Sequence, residues 1–93
     1  MFERVLRQMR EKVRTSQYVM TIHAEEEMND DNLTIFDVER CILTGKIVAR
    51  QRDGVSAEWK YRVLGGTLDG EGMEVVVKLS VTGKLVFITV YST

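Results

Sequence analysis

The hydrophobic period of this chain changes once, at residue 46, and that change limits what the chain can fold into. Before it, apolar side chains recur every three or four positions; after it, they alternate with polar ones. Helices first and strands after predict an α+β fold, with N-terminal helices packed on a four-stranded antiparallel sheet. Ninety-three residues leave room for one domain over 1–93, because cores of roughly 100 to 150 residues are the commonest and smaller ones are marginal. An apolar fraction of 44% with 29% charged residues is that of an ordinary folded protein, far from the regime of disordered chains.

In the helical half, Phe2, Leu6, Met9 and Val13 share one stripe, with Val5 beside them. This predicts an amphipathic helix over 2–15 with Arg4, Arg7, Arg10 and Arg14 off the stripe. The segment SQYVMTI reads as a short extended entry to a second helix near 22–31, for which Thr21 is a candidate cap. That helix carries His23, Ala24 and Met28, with Glu25, Glu26 and Glu27 in its first turns, where the helix dipole favours negative charge. A third helix over 35–44 has the clearest local signature. Thr34 followed by Asp37 has capping-box spacing, Leu33 and Val38 stand at the staple positions, and Gly45 follows as a left-handed cap.

In the strand half, the alternation predicts strands over 46–52, 58–64, 73–80 and 84–91. Their connections are a turn at Asp53 and Gly54, a flexible GGTLDGEG segment, and a two-residue hairpin turn at Thr82 and Gly83. That last turn sets a register in which Leu79 faces Val86, Val77 faces Ile88 and Val75 faces Val90, all on one buried side. Lys78 then faces Phe87, Val76 faces Thr89 and Glu74 faces Tyr91 on the other side. Parity places Trp59, Tyr61 and Val63 with the buried set, so Lys60 and Arg62 join the exposed one. With Val63 opposite Met73, a row of Arg62, Glu74 and Tyr91 crosses three strands, with Lys60 and Lys78 nearby.

Charge is segregated along the chain. The net charge is -1, yet residues 23–39 carry seven acidic side chains and no basic one, whereas residues 40–62 carry six basic and two acidic. Such asymmetry can build a basic face that a polyanion or an acidic partner reads, or it can decorate solvated surfaces. Cys41 is the single cysteine, so neither an intrachain disulfide nor a cysteine-based zinc site is expected, and a reducing, cytoplasmic setting fits best. No stretch approaches the roughly 20 apolar residues of a membrane span, and the first residues alternate charge with apolar positions, unlike a signal peptide. No metal site is expected, because the acids near His23 miss the usual ligand spacings. No cofactor is expected either, since GGTLDGEG lacks both GxGxxG order and a following helix. His23, the only histidine, lies near the start of a helix, and a lone histidine in an amphipathic segment is more often a packing or capping residue than a catalyst.

The ordered set HAEEEM, LTIFDVERCILTGKIV, WKYRVLG, VVVKL and VFITVY resembles a bacterial family of small domains of unknown function grouped with the RelE/ParE and barnase-like toxin folds. The resemblance covers residues 18–91. It implies a toxin of a type II toxin-antitoxin system: a RelE-like, metal-independent endoribonuclease acting on mRNA, neutralised by an antitoxin of the helix-turn-helix or zinc-ribbon type. It also implies catalytic roles for His23, Arg62 and Tyr91. The pattern departs at Glu27, where such relatives tend to carry arginine. Cleavage by a ribose 2′-hydroxyl needs a base, an acid and cations for the phosphorane. His23 can be base or acid, Arg62 can hold two phosphate oxygens, Lys60 and Lys78 can add charge, and Tyr91 can stack on a base or relay a proton. Glu74 either competes with phosphate for Arg62 or is itself the base. Two other readings stand beside this one: a catalytically inactive toxin-fold module that docks a protein, and a regulatory homodimer joined through exposed Val76, Leu85 and Phe87.

Overall fold

The computed structural model of the chain describes residues 1–52, 54–55 and 58–93. Among these residues there are three helices, α1 (Glu3–Arg14), α2 (Ile22–Asp30) and α3 (Ile35–Thr44). Five strands accompany them: β1 (Tyr18–Met20), β2 (Lys46–Arg52), β3 (Trp59–Gly66), β4 (Gly72–Leu79) and β5 (Leu85–Ser92). The strands form one sheet in the order β1-β5-β4-β3-β2. The class is therefore α+β as expected, with one strand more than the four expected. The extended segment before α2 joins the sheet as β1, pairing in parallel with β5 from Tyr18 opposite Leu85 to Met20 opposite Phe87.

The local signals act where predicted. Thr34 and Asp37 close a capping box at the start of α3, and a second oxygen of Asp37 accepts the backbone N–H of Leu68 at 2.9 Å. Those bonds hold the Asp37 carboxyl below the ordinary carboxylate range, the Thr34 backbone bond first. They also tie the β3–β4 loop to the helix. Thr21 caps α2 by accepting the N–H of Ala24 at 3.0 Å. Arg10 of α1 donates to the carbonyls of Ile42 at 3.1 Å and Gly45 at 3.0 Å. It thereby satisfies backbone oxygens left over at the end of α3, where a cation is also favoured by the helix dipole.

Met9, Val13, Ala24, Met28, Val38, Cys41 and Ile42 from the helices share one buried cluster with Tyr61, Val63, Met73, Val75, Val77, Leu85, Phe87 and Val90 from the strands. All three helices thus cover the same side of the sheet. Each large apolar side chain moved out of water there contributes about 1.5–3 kcal/mol. The other side, carrying Lys60, Arg62, Glu74, Val76, Lys78 and Tyr91, has no helix over it among the described residues.

Several expectations are corrected. Gly45 does follow α3, but its backbone is extended (φ -87, ψ -169) and not left-handed. Its glycine identity comes from crowding, since a Cβ there would lie 2.4 Å from the Cys41 carbonyl oxygen and 2.5 Å from that of Leu64. The GGTLDGEG segment is not a free connection: Gly65, Gly66 and Gly72 are strand residues, and Gly66 pairs with Gly72. The β3–β4 register consequently sets Val63 opposite Val75, two residues from the expected partner Met73, with parity intact. In the turn expected at Asp53 and Gly54, Asp53 lies outside the described residues.

The β4–β5 hairpin contains two offsets that cancel. Its loop has one residue more than expected, with Ser80 bonded to Lys84 and Gly83 at φ 85, so Leu79 faces Leu85, Lys78 faces Val86 and Val77 faces Phe87. An irregularity after Val76 restores the expected pairs Val76–Thr89, Val75–Val90 and Glu74–Tyr91. Near the turn the side chains are therefore exchanged between faces. Leu85 and Phe87 are fully buried, and Tyr18 packs edge-on against Phe87 with ring centroids 5.6 Å apart. The exposed seam of Val76, Leu85 and Phe87 expected for a homodimer does not exist.

Candidate functional site

On the uncovered face, strand alternation brings three of the sequence candidates together. Arg62 of β3 is opposite Val76, and it reaches diagonally so that its Nε lies 3.3 Å from Oε2 of Glu74. Diagonal neighbours on a sheet face are within reach of long side chains. From the other flank, the Tyr91 hydroxyl donates to the same Glu74 oxygen. Glu74 is only 11% exposed, whereas Arg62 is 52% exposed. A mostly buried carboxylate thus holds a phenol on one side and a water-facing guanidinium on the other. An ion pair with one member half in water contributes at most about 1 kcal/mol to stability, so its main effect is to fix two side chains in position.

The Glu74 charge is also felt in the core. Burial, aided by that charge, pushes the Cys41 thiol up to about 12, which leaves it without nucleophilic thiolate at neutral pH. Lys78 is paired with Glu58 at 3.1 Å. Lys60 is half-buried and makes no hydrogen bond or ion pair among the described residues. Of the two lysines named from the sequence, then, Lys78 is neutralised and Lys60 is not.

His23 is placed elsewhere. It sits 65% exposed on α2, with Nε2 at 3.2 Å from Oε1 of Glu27, and it forms no bond with Arg62, Glu74 or Tyr91. The same Glu27 oxygen accepts the backbone N–H of Val90 at 3.1 Å. One helical turn on, Asp31 accepts the N–H of Ser92 at 2.9 Å and its hydroxyl at 3.1 Å. Beyond the short β1 pairing, the outer edge of β5 is therefore closed by carboxylates of α2. Arginine, which has only donors, cannot accept the Val90 N–H, so Glu27 has a backbone role at this position.

A further feature carries no periodic signal in the sequence. Between Ile47 and Ala49 the pairing of β2 with β3 shifts by one residue. This bulge turns Arg50 and Arg52 to the helix side, where their guanidinium carbons lie 4.1 Å and 4.4 Å from the Trp59 ring centroid. It turns Ala49 and Gln51 to the open face, opposite Arg62 and Lys60. Strict alternation from Lys46 gives the reverse. A bulge adds one unpaired residue and flips everything after it, and only a clash of charge pattern with pairing partner could have signalled it.

The molecule is thus an α+β protein whose uncovered sheet face carries a linked guanidinium, carboxylate and phenol. Residues 20–92 match the model of a family described as a domain of unknown function, DUF4258, and the chain belongs to that family. The matched segment begins after α1, the helix that adds Met9 and Val13 to the core. No curated protein and no solved structure matches the chain. Among the described residues no helix is long and apolar enough to cross a membrane.

Proposed function

We propose that the open sheet face binds single-stranded RNA and cleaves it without a metal ion, as a toxin of the RelE/ParE type does, with RNA and a cognate antitoxin as partners. The observation that carries this reading is the sharing of one Glu74 carboxylate by Arg62 and Tyr91 on a face with no helix over it among the described residues. Glu74 takes the proton of a ribose 2′-hydroxyl, and the freed oxygen attacks the adjacent phosphorus. The bond from phosphorus to the 5′-oxygen breaks, leaving a 2′,3′-cyclic phosphate. Tyr91 gives its proton to the departing 5′-oxygen and regains one from Glu74, so no proton is created or lost. Arg62 meets the charge that develops on the phosphorane, a contribution that often accounts for the largest share of such catalysis. His23, exposed at the β5 edge, contacts the flanking RNA and is outside this proton path.

The test is incubation of the purified chain with single-stranded RNA in excess EDTA. Fragments ending in 2′,3′-cyclic phosphate, with DNA of the same sequence left intact, are expected; undegraded RNA would remove the nuclease reading. Expression of the chain alone in bacteria is expected to arrest growth, relieved by the neighbouring gene if that gene encodes the antitoxin.

One observation favours a second reading, a toxin-fold module that docks a partner protein without catalysis. Glu74 already satisfies both Arg62 and Tyr91, so the cluster is complete without substrate. Intact RNA together with stable copurification of one small protein would support this module.

A further inference from the structure

We infer that the hollow beside the β2 bulge is a nucleobase subsite, adjoining the phosphate held by Arg62. The inference rests on the reading of the open face as an RNA site and goes beyond it by naming what sets base preference. The hollow is lined on this face by Ala49, Gln51, Lys60, Arg62 and Val76, and its enclosed part measures about 40 Å³. It is a shallow notch that seats one edge of a planar ring and leaves the rest of the ring on the open face, unlike the roughly 300–1,000 Å³ sites that enclose drug-sized ligands.

Three features of the hollow point to a nucleotide. The bulge sets Ala49 across from Arg62, so the smallest side chain on the strand leaves a gap next to the guanidinium. Val76, paired with Arg62, supplies an apolar floor on which a base can lie. At the rim, Gln51 pairs with Lys60, and neither side chain makes a hydrogen bond or ion pair among the described residues. A carboxamide offers both donor and acceptor to a base edge. The Lys60 ammonium, with no anion beside it among the described residues, is available to a phosphate or a base carbonyl. The bulge therefore does for recognition what strict alternation would prevent: it puts a small residue and an amide on the face that carries Arg62.

The probes are four uncleavable 2′-O-methyl homopolymers of A, C, G and U, with binding read by fluorescence anisotropy at fixed salt. The unaltered chain is expected to prefer one of them. Ala49→Leu fills the hollow beside Arg62 and leaves Arg62, Glu74 and Tyr91 themselves unaltered. It is expected to weaken binding of the preferred polymer at least about fivefold, the low end of what one stacked base contributes, and to level the preference. Gln51→Ala is expected to level the preference with a smaller loss. Because Gln51 is exposed, that variant remains informative if Ala49→Leu fails to fold. Equal affinities and an unchanged ranking in both folded variants would refute the subsite while leaving RNA binding in place. Failure of the unaltered chain to bind any of the four would overturn the RNA reading and the subsite with it.

Discussion

Glu74 and Glu27 are both carboxylates set against the sheet, and each accepts one hydrogen bond and meets one nitrogenous side chain at ion-pair distance, yet they differ in what they hold. Glu74 holds two side chains, the Arg62 guanidinium and the Tyr91 hydroxyl. Glu27 holds one side chain, His23, and one backbone N–H, that of Val90. Side-chain donors can be released to a ligand by a rotation. A backbone N–H cannot be released without leaving it unpaired, at a cost of roughly 1–3 kcal/mol when buried. The cluster on the open face can therefore give up its partners to a ligand, and the pair at the β5 edge cannot do so without stranding a backbone group.

The most severe test of that distinction is Arg62→Ala, expected to lower the rate of RNA cleavage about 10²–10³-fold, as loss of one transition-state donor does, with the melting temperature nearly unchanged. A fall in stability with no fall in rate would reverse the roles of the two carboxylates. Next comes Glu27→Arg, which restores the residue the toxin resemblance leads one to expect and orphans the Val90 N–H. Urea denaturation is expected to show a loss of about 1–3 kcal/mol, whereas Glu27→Gln, which keeps an acceptor, loses little. His23→Ala is expected to slow cleavage less than about tenfold, below the 10²–10⁴ typical of a general acid or base. A larger drop would bring the imidazole into the proton path.

The smallest effect sharpens the comparison through a second phenol–carboxylate pair. Tyr18 donates to Glu39 at 2.5 Å on the helix side of the sheet, and burial, followed by that hydrogen bond, pushes its hydroxyl up to about 12. Its folded value exceeds the unfolded value of about 10, so this contribution to stability is full below pH 10 and is lost as the pH rises toward 12. Tyr18→Phe is expected to cost about 1 kcal/mol at pH 8. The gap in melting temperature between the two proteins is expected to close above pH 10, and a constant gap would sever the effect from ionisation.

The sequence discloses most where the signal is local. The capping box of Thr34 and Asp37 marked the start of α3 and Gly45 its end, and period-two alternation placed Lys60 and Arg62 on one face of β3 and Glu74 on one face of β4. What escaped was non-local or one residue long. β1 is three residues whose partner lies near the other end of the chain, so nothing beside it announces a strand. The extra residue in the Gly83 loop and the offset after Val76 each move side chains across the sheet, and their cancellation preserved the Glu74–Tyr91 pair while burying Leu85 and Phe87. The β2 bulge left a similar gap, hiding the hollow beside Arg62. For His23 the helix was legible, but its partner was not, because Glu27 binds it through a contact that helical spacing allows and does not demand.

The measurement that bears most directly on the uncovered face is a titration of the isotope-labelled chain with a short 2′-O-methyl RNA, followed by two-dimensional ¹⁵N–¹H NMR. The largest shifts are expected at Arg62, Val76 and Tyr91, with the amides of α1 and α3 nearly still. Shifts confined to the helices, with those three signals unmoved, would mean that RNA meets the other side of the molecule.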